Sequence, residues 1–519
     1  MNITDNSNST AQGQMKTMQN NNTRTRFQLP TKSLLTAAVA VALTGCAITP
    51  QPLTQEEQLQ QLKADRAAMF DGQEALSGPL TLEEAMARAV KYNLDHRLKL
   101  MEEALSQRQL DLSRYDLLPR LTASAGYVGR DSELASRSED VVLRTESLVP
   151  STSQDKNRRV ADLSFTWNVL DFGVSYYQAK QNADRTLIMR ERRRKVVHSL
   201  MQQVRQAYWL ALGAQQMEKR IPGLLKEIEQ ALANSRKIER ENLRAPLETL
   251  TYRRQLLDTL RQLEAVRDEL AQAKPRLAAL MNLSPGQSFE LQAPAELSEP
   301  TLSVSLEQME ERALLNRPEL IEARYNERIG VLETRKALAR MLPGLELNFG
   351  THYDSNSFLV DNQWNDAGLR VSWNLVNLLS GPKMMEAAET QLEVTRAQRL
   401  ALNMAVLSQV HVAYRDFIGR KRQFELARNL EDVDLGILEH TRNATRNDAQ
   451  GRLAEIRAAA SALFSELRLY QSYGALHNAY GAIQATLGND PLPQTVSSHD
   501  VAALARAVAA AAPENKTTR

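Results

Sequence analysis

Ala161-Asp162-Leu163-Ser164-Phe165-Thr166-Trp167-Asn168 alternates apolar and polar side chains without a lapse. Successive side chains of an extended chain point to opposite faces, so this run has one oily face and one wet one. Three further runs repeat the pattern. Leu121, Ala123, Ala125 and Tyr127 alternate with Thr122, Ser124 and Gly126. Leu345, Leu347, Phe349 and Tyr353 are set against Glu346, Asn348 and His352, and Leu369, Val371, Trp373 and Leu375 against Arg370, Ser372 and Asn374. The spacing predicts strands near 120–129, 160–170, 345–353 and 367–376. Segments of about ten residues with aromatics near their ends suit the wall of a membrane β-barrel. A half-buried strand of a soluble sandwich alternates in the same way, so the pattern alone leaves both open.

The N-terminus favours the membrane. Arg24, Arg26 and Lys32 form a positive stretch before an apolar run, Leu34 to Leu43, the layout of a secretory signal. That run is too short to cross a bilayer as a helix. It ends in Leu43-Thr44-Gly45-Cys46, which resembles the lipobox of bacterial lipoproteins and holds the only cysteine of the chain. The resemblance implies cleavage after residue 45 and a covalent lipid on Cys46, and Ala47 in the next position implies sorting to the outer membrane. The whole chain has 64 Lys and Arg against 62 Asp and Glu, and without residues 1–45 the balance is 60 against 61. No electrostatic footprint for nucleic acid exists at that balance. A chain with one cysteine forms no internal disulfide or cysteine-ligated zinc site.

The strand pairs occur twice. Leu82-Glu83, Pro119 and Gly126 match Leu306-Glu307, Pro343 and Gly350 at an offset of 224, whereas Trp167-Asn168, Ala207-Tyr208 and Pro285 match Trp373-Asn374, Ala413-Tyr414 and Pro491 at 206. The difference of 18 residues is an insertion in one loop of the first copy. Each copy opens with an amphipathic helix, 82–118 or 306–342, ended by a proline. After each strand pair a long helical run follows, from Val174 towards Asn242 in the first copy, with Val197, Leu200, Val204, Ala207 and Ala211 at three- and four-residue steps. A return run covers Leu247 to Met281, and the second copy repeats the hairpin around Gly451 to Leu487. The sequence therefore divides into a signal (1–45), a lipidated linker (46–79), a first repeat (80–290), a linker (291–303), a second repeat (304–491) and a tail (492–519). Four strands cannot close a barrel, and an open edge in hydrocarbon leaves backbone groups unpaired at several kcal/mol each. Two copies supply eight strands and three supply twelve, the latter wide enough for a passage.

These elements resemble the outer-membrane efflux protein family, the TolC-like export ducts, over essentially all of residues 80–491. The stretches that carry the likeness are Leu80-Thr81-Leu82-Glu83-Glu84-Ala85, Leu117-Leu118-Pro119-Arg120-Leu121, Leu280-Met281-Asn282-Leu283-Ser284-Pro285-Gly286 and Asn316-Arg317-Pro318-Glu319-Leu320. The resemblance implies a mostly α chain with a small membrane β portion. It also implies a homotrimer in which a twelve-stranded β-barrel, four strands per chain, continues into a long α-helical coiled-coil barrel in the periplasm. Its implied partners are outer-membrane lipids, a periplasmic adaptor (membrane fusion protein) and an inner-membrane pump of RND, ABC or MFS type. The function so implied is a passive conduit of a tripartite efflux or type I secretion system. The adaptor-docking tips correspond to Arg244, Ala245 and Pro246 and to a glycine-centred turn at Gly451, Arg452 and Leu453. The family often places an acidic ring after the second tip, and Asp448 and Glu455 are the candidate entrance acids.

No catalytic constellation competes with this reading. The seven histidines form no His-x-His or His-Glu-x-x-His pair, and neither a glycine-rich phosphate cradle nor a nucleophile elbow occurs. No cofactor beyond the lipid is expected. The run Arg190-Glu191-Arg192-Arg193-Arg194-Lys195 reads as a solvated or lumen-facing stripe, and Val501 to Ala511 as an Ala-rich helix without assigned function. The rival is a structural or adhesive coiled-coil outer-membrane lipoprotein, which needs no alternating strands inside its helices.

Overall fold

A computed structural model describes residues 50–241, 245–444, 449–492 and 498–511. The signal, Cys46, Arg244 and Asp448 lie outside these residues. The chain forms two units, residues 1–67 and 68–519. Helix α1, Gln55–Phe70, lies mostly in the first and buries none of its side chains. Thr54 and Glu57 cap it reciprocally, the Glu57 amide donating to Thr54 Oγ1 and the Thr54 amide to Glu57 Oε2.

In the second unit the expected opening helix of each half is broken. Residues 82–118 form α2, Leu82–Tyr92, and α3, Leu94–Ser113, because Asn93 is extended and its side chain accepts from the His96 amide, starting a new helix. Strands β1, Arg120–Gly129, β2, Ala135–Ser136, β3, Ser151–Thr152, and β4, Asn157–Asn168, follow. The small β2–β3 ladder occupies the inserted loop. Strand β4 stops two residues before the expected 170, because Asn168 Oδ1 accepts from the amides of Leu170 and Asp171 and caps α4, Val169–Glu218. The helical run expected to continue to Asn242 is interrupted at Lys219-Arg220 and restarts as α5, Ile221–Arg240, with Pro222 in its first turn. The return leg is α6, Pro246–Ala271, and α7, Ala273–Leu280.

The second half has the same order. Helices α8, Leu306–Asn316, and α9, Pro318–Ala339, replace the single helix expected over 306–342. Pro318 forces Arg317 out of the α region, to φ −69° and ψ 128°. Strands β5, Gly344–Asp354, and β6, Gln363–Ser372, come next. The last strand lies about four residues earlier than expected, since Asn374 Oδ1 accepts from the Val376 amide at the head of α10, Leu375–Ala444. Helix α11 spans Ala449–Thr486 and α12 spans Val501–Ala511. At ~1.5 Å per residue, the 50-residue α4 is about 75 Å long and the 70-residue α10 about 105 Å.

The four long strands form one antiparallel sheet of order β1-β4-β5-β6. The core lies among the helices. Trp209 of α4 packs edge-on against Tyr473 of α11 at 4.7 Å, and Tyr473 lies 5.3 Å from Phe424 of α10. Gly474 permits this approach, because a Cβ there would sit 2.8 Å from Trp209 Cβ. The chain ends of the first half meet on α4. Leu80 and Leu291 pair as a parallel bridge, and the buried Tyr208 hydroxyl reaches the carbonyls of Leu80 (3.0 Å) and Gln292 (2.8 Å). The Ala-rich segment 501–511 docks on α2 through Val501 and Leu504 around Ala87, while Glu74 accepts from the Val501 amide.

Candidate functional site

Strand register sorts the sheet into two chemically distinct faces. Leu121 lies beside Phe165, Phe165 beside Phe349 and Phe349 beside Ala367; the next row joins Trp167, Leu347 and Leu369. On this face Leu121 and Leu369 are 69% and 66% exposed and Phe349 is 55% exposed, a contiguous run of bare apolar side chains of the kind that marks an interaction or membrane surface. Tyr127 and Tyr353 mark one end of the band, and Trp167 and Trp373 the end next to the helices. Both outer strands, β1 and β6, are exposed along their whole lengths. Their outward edges hold unpaired backbone donors and acceptors, a template for another strand.

The opposite face is wet and internally bonded. His352 lies between two carboxylates, its Nδ1 2.7 Å from Asp162 and its Nε2 3.2 Å from Asp366. Ser124 donates to Asp162 at 3.1 Å, and Trp364 stacks on the His352 ring at 5.3 Å. Gly350 makes room for this cluster, since a Cβ there would meet His352 Nε2 at 2.5 Å and Asp366 Oδ1 at 2.6 Å. Toward the helices, Asn348 donates to Glu346 and Arg370 stands 3.8 Å from the same carboxylate. Polar side chains that bond one another across four strands are suited to an aqueous lining.

At the far ends of the helices the second expected tip lies against the segment that follows the first. Ala245 precedes α6 in an extended conformation and Pro246 is its first residue, where a missing N–H costs nothing. The glycine-centred turn expected at Gly451-Arg452-Leu453 is corrected: all three residues are helical, inside α11. Arg452 and Leu453 line a cleft of about 1020 Å³ with Asn234, Ile238, Leu247 and Tyr252 from α5 and α6. Arg452 stands 3.5 Å from Glu227 and 3.2 Å from Glu455. Glu455 also has Arg442 at 3.7 Å, so its charge is compensated by two guanidinium groups rather than offered to a passing cation. Arg452 and Glu455 stand three residues apart on α11, a pairing that spacing alone allows, whereas Glu227 and Arg442 come from other helices and left no sign in the sequence.

The basic run is likewise not a free stripe. Arg193 bonds Glu103 of α3 at 2.6 Å, Arg192 bonds Glu322 and Lys195 approaches Glu319 on α9, and Arg194 bonds Asp490 beyond α11 at 3.0 Å. It fastens α4 to three neighbouring elements. Asp490 also has His198 at 3.0 Å; burial opposes its charge, but the bonds from His198 and Arg194 outweigh burial and hold its carboxyl below the usual range. Buried His477 packs against Trp209 and Tyr473, and burial, aided by the Arg205 charge, pushes its pKa down to about 4. Among the described residues no cluster of histidine, cysteine and acidic side chains could hold a metal, and no helix is long and apolar enough to cross a membrane.

Residues 96–283 match the outer membrane efflux protein family. No curated protein matches the chain by sequence. Among solved structures the chain is similar to the outer-membrane channel OprN, with 18% identity and a TM-score of 0.60 over 78% of this chain and 89% of that one. It is similar to CusC at 15% identity and 0.61, covering 81% and 96%, and to the Campylobacter jejuni CmeC outer membrane channel at 14% and 0.61, covering 78% and 85%. The chain thus shares the TolC-like channel fold expected from its sequence.

Proposed function

We propose that this chain is the outer-membrane channel of an efflux or type I secretion assembly, a passive conduit for substrates delivered by an inner-membrane pump through a periplasmic adaptor. The observation that carries this reading is the four-stranded sheet with an apolar face, a bonded polar face and two open edges. Such a sheet is stable in hydrocarbon only when closed, and edge-to-edge pairing of β1 with β6 of another copy closes it. Three copies give twelve strands, with the Asp162-His352-Asp366 face turned to the water of the lumen and the Phe349 face to lipid. The match to the outer membrane efflux protein family supports the same reading. In this scheme Cys46 bears the lipid that tethers each copy to the outer membrane. The tip residues Arg244, Ala245, Pro246, Gly451, Arg452 and Leu453 face the adaptor.

Purified protein reconstituted in a planar bilayer tests the proposal. The expected result is discrete conductance from an oligomer with β-sheet signal in detergent. A protein that remains a monomer and conducts no ions refutes it.

A further inference from the structure

The sheet ends, away from the helices, in two loops: residues 130–156 between β1 and β4, and residues 355–362 between β5 and β6. Within one chain hydrogen bonds join these loops at their polar bases. The Asp155 amide donates to Asn356 Oδ1 at 2.9 Å, Asn356 Nδ2 to the Ser153 carbonyl at 3.0 Å and the Ser357 hydroxyl to Asp155 at 2.9 Å. Asn356 is buried, and Arg158 bonds the Asp354 carboxylate beside it at 2.6 Å.

Beyond this fixed base both loops present bare apolar tips. Val141, Val142 and Leu143 are 80%, 87% and 72% exposed, and Val360 on the other loop is 99% exposed with Phe358 at 53%. The first tip is held in shape rather than loose, because Asp140 Oδ1 accepts from the amides of Val142 (2.8 Å) and Leu143 (2.9 Å). Lipid is a poor occupant. Glu139 and Asp140 on one side and Arg144 and Glu146 on the other flank the apolar run and would be carried into hydrocarbon with it.

The topology supplies a better one. Loop 130–156 leaves from the outer strand β1 and loop 355–362 leads into the outer strand β6, so pairing β6 with β1 of the next copy brings the strands that carry one chain's second loop and its neighbour's first side by side. We infer that these tips form a clasp between copies, in which the Val141-Val142-Leu143 turn of one chain packs on Phe358 and Val360 of the next. The inference rests on the proposed edge-to-edge assembly. The clasp covers the outer end of the seam between β6 and β1 and explains why residues so apolar stand uncovered in a single chain.

Paired cysteines test it in the otherwise intact chain. Val142→Cys with Val360→Cys, oxidised in outer-membrane fractions, should give disulfide-linked dimers and trimers on a non-reducing gel, and neither single variant should. A ladder from Val142→Cys alone would mean that like tips meet, and a disulfide confined to the monomer would place the contact inside one chain; either result overturns the clasp. An oligomer that conducts but yields no ladder also overturns it while leaving the channel reading intact. A wild-type chain that neither oligomerises nor conducts defeats the channel reading itself. As a second measure, Val142→Asp should lower the temperature at which the oligomer dissociates in detergent, and an unchanged temperature counts against the clasp.

Discussion

Placing a charge on one face of β5 and then on the other separates a lipid-facing wall from any soluble sheet. Phe349 is the middle residue of Gly344–Asp354, with five residues on either side. At ~3.4 Å per residue and a tilt of ~40°, five residues span about 13 Å of depth, so in the proposed barrel Phe349 lies at the centre of an apolar band ~25 Å tall. An arginine on the lipid face at that depth costs ~2–4 kcal/mol, or roughly 30- to 700-fold in the insertion equilibrium of each copy. Phe349→Arg should therefore lower the denaturant concentration at which the protein inserts into lipid vesicles and should deplete the assembled oligomer in the outer membrane. Asn348→Arg, one residue away, points to the wet face between Thr166 and Gly368 and within reach of Glu346, and should change neither by more than ~0.5 kcal/mol. Equal insertion of the two variants, or a defect in Asn348→Arg alone, would refute the assignment of faces.

Two predictions concern the helical part. His477 takes a proton near pH 4 in the fold but near pH 6.5 when unfolded, so across that window the unfolded state holds more protons and stability falls as pH is lowered. The stability lost reaches about 3 kcal/mol at the acid end of that window. Thermal midpoints in detergent between pH 7.5 and 4.5 should drop more steeply for the wild type than for His477→Gln; parallel curves would remove His477 as the cause. Tyr208→Phe deletes the hydroxyl that reaches both Leu80 and Gln292 carbonyls and should cost ~1–2 kcal/mol, read as a lower unfolding midpoint with conductance retained. An unchanged midpoint would show that the bridge between Leu80 and Leu291 holds the junction unaided.

The strands and the long helices were legible because each depends on a local period that packing then reinforces: two for the sheet, three to four for the helices. Breaks in those elements were harder to read. Pro318 marks the break at its predecessor Arg317, and Asn93 is a good N-cap set inside an otherwise continuous amphipathic pattern. Gly451 suits a turn by residue type but is merely permitted there, within a helix that begins two residues earlier.

By itself, the sequence determined which residues share the apolar face and which the polar face of each strand, the presence of two strand pairs separated by long helices, and a lipobox-like Cys46. Only the tertiary structure decided what the charges do. The basic run 190–195 becomes a set of fasteners, Glu455 meets Arg442 from across the hairpin, and His352 lies between Asp162 and Asp366. Periodicity is written along the chain, whereas an ion pair depends on which distant segment folds alongside, and for Arg194 and Asp490 that segment lies 296 residues away.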